Sequence, residues 1–565
     1  MWQLLIICLL VPSILTAQEK WWKNSFIYQV YPRSFKDSNG DGVGDLKGIT
    51  SKLDHLARLG VSGFWISPVF TSPMVDFGYD IANFTDIDPV FGTLADMDVL
   101  TKAAHQRGLK VILDFVPNHS SDKHPWFQKS VQRIKPYDEY YIWKDAKMVN
   151  GTRQPPNNWL SVFHGSAWTW NEQRKQYYFR QFTPQQPDLN FRSAALRKEM
   201  EDVLVFWTNR GIDGFRVDAI IHAYEDSRLL DEPVIPNSGY PADNWNSLNH
   251  IYTRNQNETF GLVASWRKIL DAQPGDKKIL MTESFTGLQE ELQYSMNYYR
   301  SGSDVPFNFM LLGALNNKST PLDFKRAIDS WLNYMPASEE ANWVIDNHDV
   351  NRVSTRIGNA RKDHFIMLAA VLPGVGVMYY GNEIGMDDTW LTYNETVDPV
   401  GCNAGPGKYQ LTSRDPARTP MQWDNSTSAG FSTNPKTWLR VNPNYKTINL
   451  ASEQNDFRSH FSIFIKLMAL KKSGRLVNAT TETVVIGDNV LGVVRRPTNS
   501  TMRLYALVQN FGSKPVTLDV SAWMNIPERM RILVTNRDWK TFTWNVIDTT
   551  ALAMPGYGSI VLMPF

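Results

Sequence analysis

The order of apolar and polar runs along the chain predicts an α/β fold: a (β/α)8 TIM barrel with a domain inserted after strand 3 and a C-terminal antiparallel β-sandwich domain. Three observations lead there. Short apolar runs alternate with amphipathic stretches about eight times, the pattern of strand–helix units that close a parallel sheet. The alternation stops between Pro117 and Gln186, where Trp, Tyr, Pro, Asn and Gln dominate, and then resumes, so this stretch reads as an insertion rather than a linker. From about Thr481, β-rich runs follow one another with no helix between them, which is how an antiparallel domain reads. The expected divisions are a signal segment at 1–17, barrel at 18–116, inserted domain at 117–186, barrel again at 187–480 and the β domain at 481–565.

In chain order, Phe26 to Tyr31 reads as a strand, Ser51 to Leu59 as a helix, and Gly63 to Ser67 as a strand. A helix follows over Leu94 to Arg107 with Gly108 as its stop, then a strand over Lys110 to Phe115. After the insertion come a helix over Ala194 to Asn209 and a strand over Gly214 to Ala219. Further strands are expected at Ile279 to Glu283, Val305 to Phe309, Asn342 to Ile345 and Gly374 to Tyr380, with helices at Phe260 to Leu270, Pro321 to Asn333 and Lys362 to Leu372. The last domain shows β-rich runs at Val484 to Ile486, Val490 to Val494, Leu504 to Gln509, Val516 to Val520 and Ile560 to Met563.

Composition narrows the partners. The 565 residues are 42% apolar and 12% aromatic, enough for a large core. Net charge is +1, and no long run of Lys and Arg offers a footprint for nucleic acid. Twenty tryptophans and 22 tyrosines suit a protein that stacks sugars, and suit a large aromatic core equally. The apolar run Leu4 to Leu15, followed by Thr16-Ala17-Gln18, is too short to span a bilayer and reads as a secretory signal cut near Ala17. Nothing later offers a transmembrane anchor. Cys8 lies in that signal and leaves Cys402 alone, so no intrachain disulfide is expected. Nine Asn-x-Ser/Thr sequons, at Asn83, Asn118, Asn150, Asn257, Asn317, Asn394, Asn425, Asn478 and Asn499, point to N-glycosylation of a secreted, extracellular protein.

Barrel active sites form at the C-terminal ends of the strands. Those ends carry Asp114 to His119, Arg216 with Asp218, Glu283, and Asp346 to Asp349. Arg216 and Asp218 are two apart and share one face of a strand. Converging carboxylates suit either a metal site or glycoside chemistry, and no phosphate cradle favours the first. Glycoside hydrolysis needs one ionised carboxylate and one protonated carboxylic acid. Arg216 is expected to keep Asp218 ionised, while neighbouring carboxylates push Glu283 upward.

The motifs DFVPNH, GFRVDAIIH, TESF and IDNHD resemble the four short regions of the α-amylase superfamily of glycoside hydrolases. Gln186-Pro187-Asp188-Leu189-Asn190 resembles the signature of its oligo-1,6-glucosidase branch, and the stretches Tyr28 to Phe35 and Ser413 to Trp423 resemble insect maltases of that branch. The resemblance implies an α-glucosidase with Asp218 as nucleophile, Glu283 as general acid/base and Asp349 as the third carboxylate. It places His119, Arg216 and His348 around the sugar being cleaved, and Tyr79 and Asp80 against the terminal glucose. Arg414 is expected to pair with Asp80 and close the pocket, with Phe163 and Phe182 near the entrance or else packed in the core. Asn118, within an active-site strand end, is expected to carry no glycan.

Asp37-Ser38-Asn39-Gly40-Asp41-Gly42-Val43-Gly44-Asp45 sets hard oxygen ligands at every second position, as at the start of a calcium loop. Gly48 stands where an EF-hand carries its bidentate Glu, so this is not an EF-hand. Relatives in the branch bind a structural Ca2+ here, which implies Asp37, Asn39, Asp41, the carbonyl of Val43 and Asp45 as ligands.

Ile221 stands before His222 where starch-cleaving amylases usually carry lysine, which favours a short pocket over a polymer cleft. Maltose, sucrose and isomaltose all stay open as substrates. The competing reading is a non-catalytic binding or receptor protein of the same fold, such as the amino-acid transporter heavy chains, against which the intact carboxylates argue.

Overall fold

The computed structural model describes residues 20–284, 292–499, 503–539, 541 and 543–564. The signal segment at 1–17, with Cys8, lies outside the described residues. Eight parallel strands form the central sheet: β1 (Phe26–Val30), β2 (Gly63–Ile66), β3 (Lys110–Phe115), β4 (Gly214–Val217), β5 (Ile279–Thr282), β6 (Val305–Pro306), β7 (Asn342–Val344) and β8 (Val375–Tyr379). Their order is β6-β5-β4-β3-β2-β1-β8-β7, so the sheet curls until its edges face each other. Asn308 and Asn342 bridge those edges: Asn308 Nδ2 donates to the Asn342 carbonyl at 3.0 Å and Asn342 Nδ2 to the Pro306 carbonyl at 2.7 Å. β2, β4 and β5 are buried throughout, as parallel strands covered on both faces must be.

The register sets the site. Arg216 on β4 stands opposite Asp114 on β3 and Met281 on β5. Outer helices follow the sequence closely: Leu94–His105 opens with a Thr93/Asp96 capping box, and Ala194–Asn209 is capped by Ser193. The helix expected at Ser51 to Leu59 is two, Leu46–Ser51 and Leu53–Leu59, because Asp45 accepts from Gly48 N and starts a turn earlier. The strand expected at Val305 to Phe309 stops after Pro306, beyond which Asn308 turns to β7.

Between β3 and helix Ala194–Asn209 lie a three-stranded sheet and a two-stranded hairpin, Lys147–Val149 with Thr152–Gln154. The C-terminal part is antiparallel: β9 (Ala479–Ile486), β10 (Val490–Pro497), β11 (Tyr505–Asn510), β12 (Arg529–Thr535), β13 (Val546–Asp548) and β14 (Ser559–Met563), in the order β9-β10-β11-β14-β12-β13. Sequence reading missed β12 and β13 and overextended the strand at Val516, which ends at Leu518 before a short helix, Val520–Met524. Helix Lys362–Val371 is buried along its length between barrel and C-terminal sheet. Gln509 Nε2 on β11 donates to the His364 carbonyl at 3.0 Å.

Candidate active site

At the C-terminal mouth of the barrel a cavity of about 360 Å3 is lined by residues that follow β2, β3, β4, β5 and β7, by the inserted stretch and by the segment 400–414. Arg216 organises its floor. Its Nη1 donates to Asp114 Oδ1 at 3.0 Å and to Asp218, and its Nη2 lies 3.0 Å from Glu283 Oε2. Arg216 and Asp114 are 1% and 0% exposed, whereas the side chains of Asp218, Glu283 and Asp349 are 12%, 18% and 33% exposed. The three carboxyls therefore face the cavity, and the charges that tune them lie behind.

The residue after Asp218 turns the chain. Ala219 adopts φ 46°, which ends β4 and aims its N–H at Glu283 Oε2, 2.9 Å away. Burial raises Glu283 to about 8, with Arg216 opposing and Asp218 and Asp349 adding to the rise. Burial also raises Asp218 above the usual carboxylate range; Arg216 pulls it down and Asp114 pushes it up. Arg216, in direct contact, acts on Asp218 in the expected direction, favouring its ionised form against burial. Asp349 goes the other way. Burial would raise it, but His348, Arg414 and Arg418 outweigh that and hold it below the carboxylate range.

His348 is fixed from both sides. Gln29 Nε2 lies 2.8 Å from its Nδ1, and the Tyr79 hydroxyl lies 2.7 Å from its Nε2 while donating to Asp114 Oδ2 at 3.1 Å. With the Gln29 amide donating to Nδ1, the ring hydrogen sits on Nε2. Tyr79 and His348 stack at 5.3 Å and 5°. His119 Nε2 donates to the Tyr79 carbonyl at 3.0 Å, with Gln186 Nε2 3.1 Å away; the ring packs 5.0 Å from Phe182, and burial lowers it to about 4, which leaves it neutral at ordinary pH. Phe163 and Phe182 both line the cavity, half-buried and 5.7 Å apart edge-to-face.

Two expectations are corrected. Asp80 is fully buried, accepts from Ser72 Oγ at 3.0 Å and from Val75 N and Asp76 N, and does not line the cavity. Arg414 pairs instead with Asp76 at 2.8 Å, Asp398 at 2.6 Å and Asp349 at 3.3 Å. Phe77 and Gly78, at φ 48° and 105°, turn the chain between the two acids and send them opposite ways. Strand alternation could not tell which acid faces inward. Sequence reading also passed over Trp245, Arg254, Val400 and Thr412, which line the cavity from loops and short helical turns with no motif, and Arg418, whose Nη2 lies 3.1 Å from Asp349.

Asn118 is buried, and its Nδ2 donates to Asp188 Oδ2 at 3.0 Å. In the oxygen-rich turn, Asp37 accepts from Asn39 N, Gly40 N, Gly42 N and Ser432 Oγ. Asp45 accepts from Ser38 N, Ser38 Oγ and Gly48 N, and Asp41 from Val43 N and Asn39 Nδ2. The donor chemistry suits a hard cation. Among the described residues, though, no three His, Cys, Asp or Glu side chains gather to hold one, and these carboxylates already accept hydrogen bonds from the turn.

A parallel barrel with three acids around one guanidinium at its mouth defines a glycoside hydrolase site. The chain belongs to the α-amylase family, whose catalytic domain matches residues 29–479. It is 48% identical to the α-glucosidase of Apis mellifera over 537 residues, 94% of this chain and 93% of that one. It is 44% identical to the salivary α-glucosidase of Anopheles gambiae over 510 residues, covering 89% and 86%. Among solved structures, the α-glucosyl transfer enzyme XgtA superposes with a TM-score of 0.84 at 32% identity, over 97% of this chain and all of that one.

Proposed function

We propose that this glycoside hydrolase is a retaining, exo-acting α-glucosidase that removes terminal α-glucosyl units from short sugars such as maltose, sucrose and malto-oligosaccharides. The observation that carries this reading is the closed end of the cavity, where Arg414 ties Asp76, Asp349 and Asp398 together. A chain interior does not fit past that closure, but a terminal glucose does. Asp218 and Glu283 contact the two terminal nitrogens of one guanidinium, which favours the close carboxyl spacing of retaining enzymes, about 5–5.5 Å, over the wider one of inverting enzymes.

In this reading Asp218 attacks the anomeric carbon while Glu283 gives its proton to the leaving oxygen, forming a covalent glucosyl-enzyme. Glu283, now a base, takes a proton from water, which attacks the same carbon and releases glucose with retained configuration. A second sugar in place of water gives transglucosylation. Asp349, kept ionised by its arginines, would grip sugar hydroxyls and face the positive charge of the transition state. Initial rates on maltose, sucrose and isomaltose test this, with Asp218→Asn beside the wild type. Loss of more than about a thousandfold in kcat is expected, whereas a folded wild type inert toward all three would favour a binding role.

We also propose secretion with N-glycosylation. A relative is named a salivary enzyme. Eight sequon asparagines are exposed and only Asn118 is buried, so glycopeptides are expected at the eight sites and absent at Asn118. The Asp37 to Asp45 turn is proposed to take a structural Ca2+ through Asp37, Asn39, Asp41, the Val43 carbonyl and Asp45. Its role would be to tie the first barrel loop to Ser432. Chelation is expected to lower the melting temperature by several degrees, and added Ca2+ to restore it. An unchanged melting temperature would mean that the turn's own hydrogen bonds suffice.

A further inference from the structure

The cavity has two kinds of wall. Asp76, Asp349 and Arg414 close one end, and Asp218, Glu283, Tyr79 and His348 surround the glucose to be cleaved. Among the other lining residues, Ile221, Trp245, Arg254, Val400 and Thr412 belong to neither group. On the glucosidase reading, on which this inference rests, they face the leaving group.

We propose that Trp245 is the specificity-determining wall on the leaving-group side, held in place by His250 and Glu232, and that it selects substrates whose leaving group is itself a sugar ring. Trp245 lies on the long excursion between β4 and helix Asn257–Asp271, on a single turn opened by Asn244. Such a loop could fold anywhere, but this one is clamped to the inserted stretch. Asn158 N donates to Asp231 Oδ1 at 2.9 Å, Glu232 N to Asn158 Oδ1 at 2.8 Å, Trp159 Nε1 to the Leu230 carbonyl at 2.9 Å and Gly165 N to the Asp243 carbonyl at 2.9 Å.

The bracket on Trp245 is tighter still. The His250 imidazole lies parallel to the indole, 3.8 Å away and tilted by 9°. Its Nδ1 is 2.8 Å from Glu232 Oε2 and its Nε2 is 2.8 Å from the Trp245 carbonyl, so both ends of the ring face acceptors. Buried Glu232 accepts Thr253 Oγ1 at 2.8 Å, and the Thr253 carbonyl lies 3.0 Å from His222 Nδ1. His222 belongs to the turn directly after Asp218. A continuous run of contacts therefore fixes the indole relative to the nucleophile.

His250 covers one face of the indole, and the Arg254 guanidinium stands 5.6 Å from its centroid. This wall offers an apolar rim beside a donor-rich plane. It suits a pyranose, whose C–H groups pack on aromatic carbon while its hydroxyls accept hydrogen bonds. A leaving group without a ring gains nothing from it.

The test compares maltose with α-glucosyl fluoride, which uses the same glucose pocket but leaves as a single atom. Trp245→Ala is expected to lower kcat/KM on maltose by about tenfold and to leave the fluoride within about twofold. Trp245→Phe should recover most of the loss, and His250→Ala, removing a positioning residue, should raise KM for maltose without slowing the fluoride. Retained fluoride activity also proves the variants folded. An equal fall on both substrates, or none on either, with an active wild type would overturn this inference alone. A wild type inert toward both would overturn the glucosidase reading and this inference with it.

Discussion

Arg216 spends one guanidinium on three acids, and the consequences differ for each. Asp114 is sealed beneath it, while Asp218 and Glu283 face the cavity with Asp349 beyond them. Glu283 is raised to about 8 by burial and by Asp218 and Asp349, against Arg216. In the proposed role of general acid it must hold its proton when substrate arrives, so on that reading kcat/KM is expected to fall as pH rises through about 8. In Glu283→Gln activity on maltose should fall steeply, and the residual activity should show no alkaline limb near pH 8. A pH profile that keeps the limb in this variant would assign it to another group. The acids themselves were legible in the sequence because each ends a barrel strand. Asp76 was not, because a left-handed Phe77-Gly78 turn separates it from Asp80 and defeats any argument from alternation.

At the scale of elements, the site depends on β3, β4 and β5 staying in register. Gly214 begins β4 opposite Ile279, and a Cβ there would lie 2.2 Å from the Ile279 carbonyl oxygen. Backbone, unlike a side-chain tip, cannot swing away. Gly214→Ala is therefore expected to cost at least about 3 kcal/mol and to lower kcat with it. Denaturant titration alongside activity checks this, and an unchanged midpoint would show that the strands slide apart cheaply. Strands and helices were readable wherever the apolar pattern ran long: Lys110–Phe115 and Ala194–Asn209 have the bounds expected. Short elements held by side chains rather than by pattern were not. The excursion carrying Trp245 is one, since its position comes from Asn158, Glu232 and His250, contacts made across long sequence separations.

Across the whole molecule, barrel and C-terminal sheet are joined through charged groups as well as apolar ones. Asp363 Oδ1 contacts His460 Nδ1, and its Oδ2 accepts from Arg537 N at 3.0 Å. Burial would raise this acid, but His460 and the hydrogen bonds outweigh it and lower it to about 2. A depressed folded-state value means stability that is present above the ordinary carboxylate range, about 4, and lost as pH falls toward 2. Asp363→Asn is expected to cost about 3 kcal/mol at neutral pH and progressively less below pH 4. Melting curves at pH 7 and pH 3 check it, and an equal penalty at both would contradict the linkage. None of this junction was visible in the sequence, where residues so far apart carry no shared pattern.

The closure by Arg414 also governs traffic. On the proposed exo-acting reading, the second sugar leaves first and the glucose last, through the same opening, before another molecule can enter. An enzyme of that kind does not slide along a chain, because nothing threads through it. On a mixture of oligosaccharides its rate is then expected to follow the number of chain ends rather than the number of bonds, with free glucose competing with every new arrival.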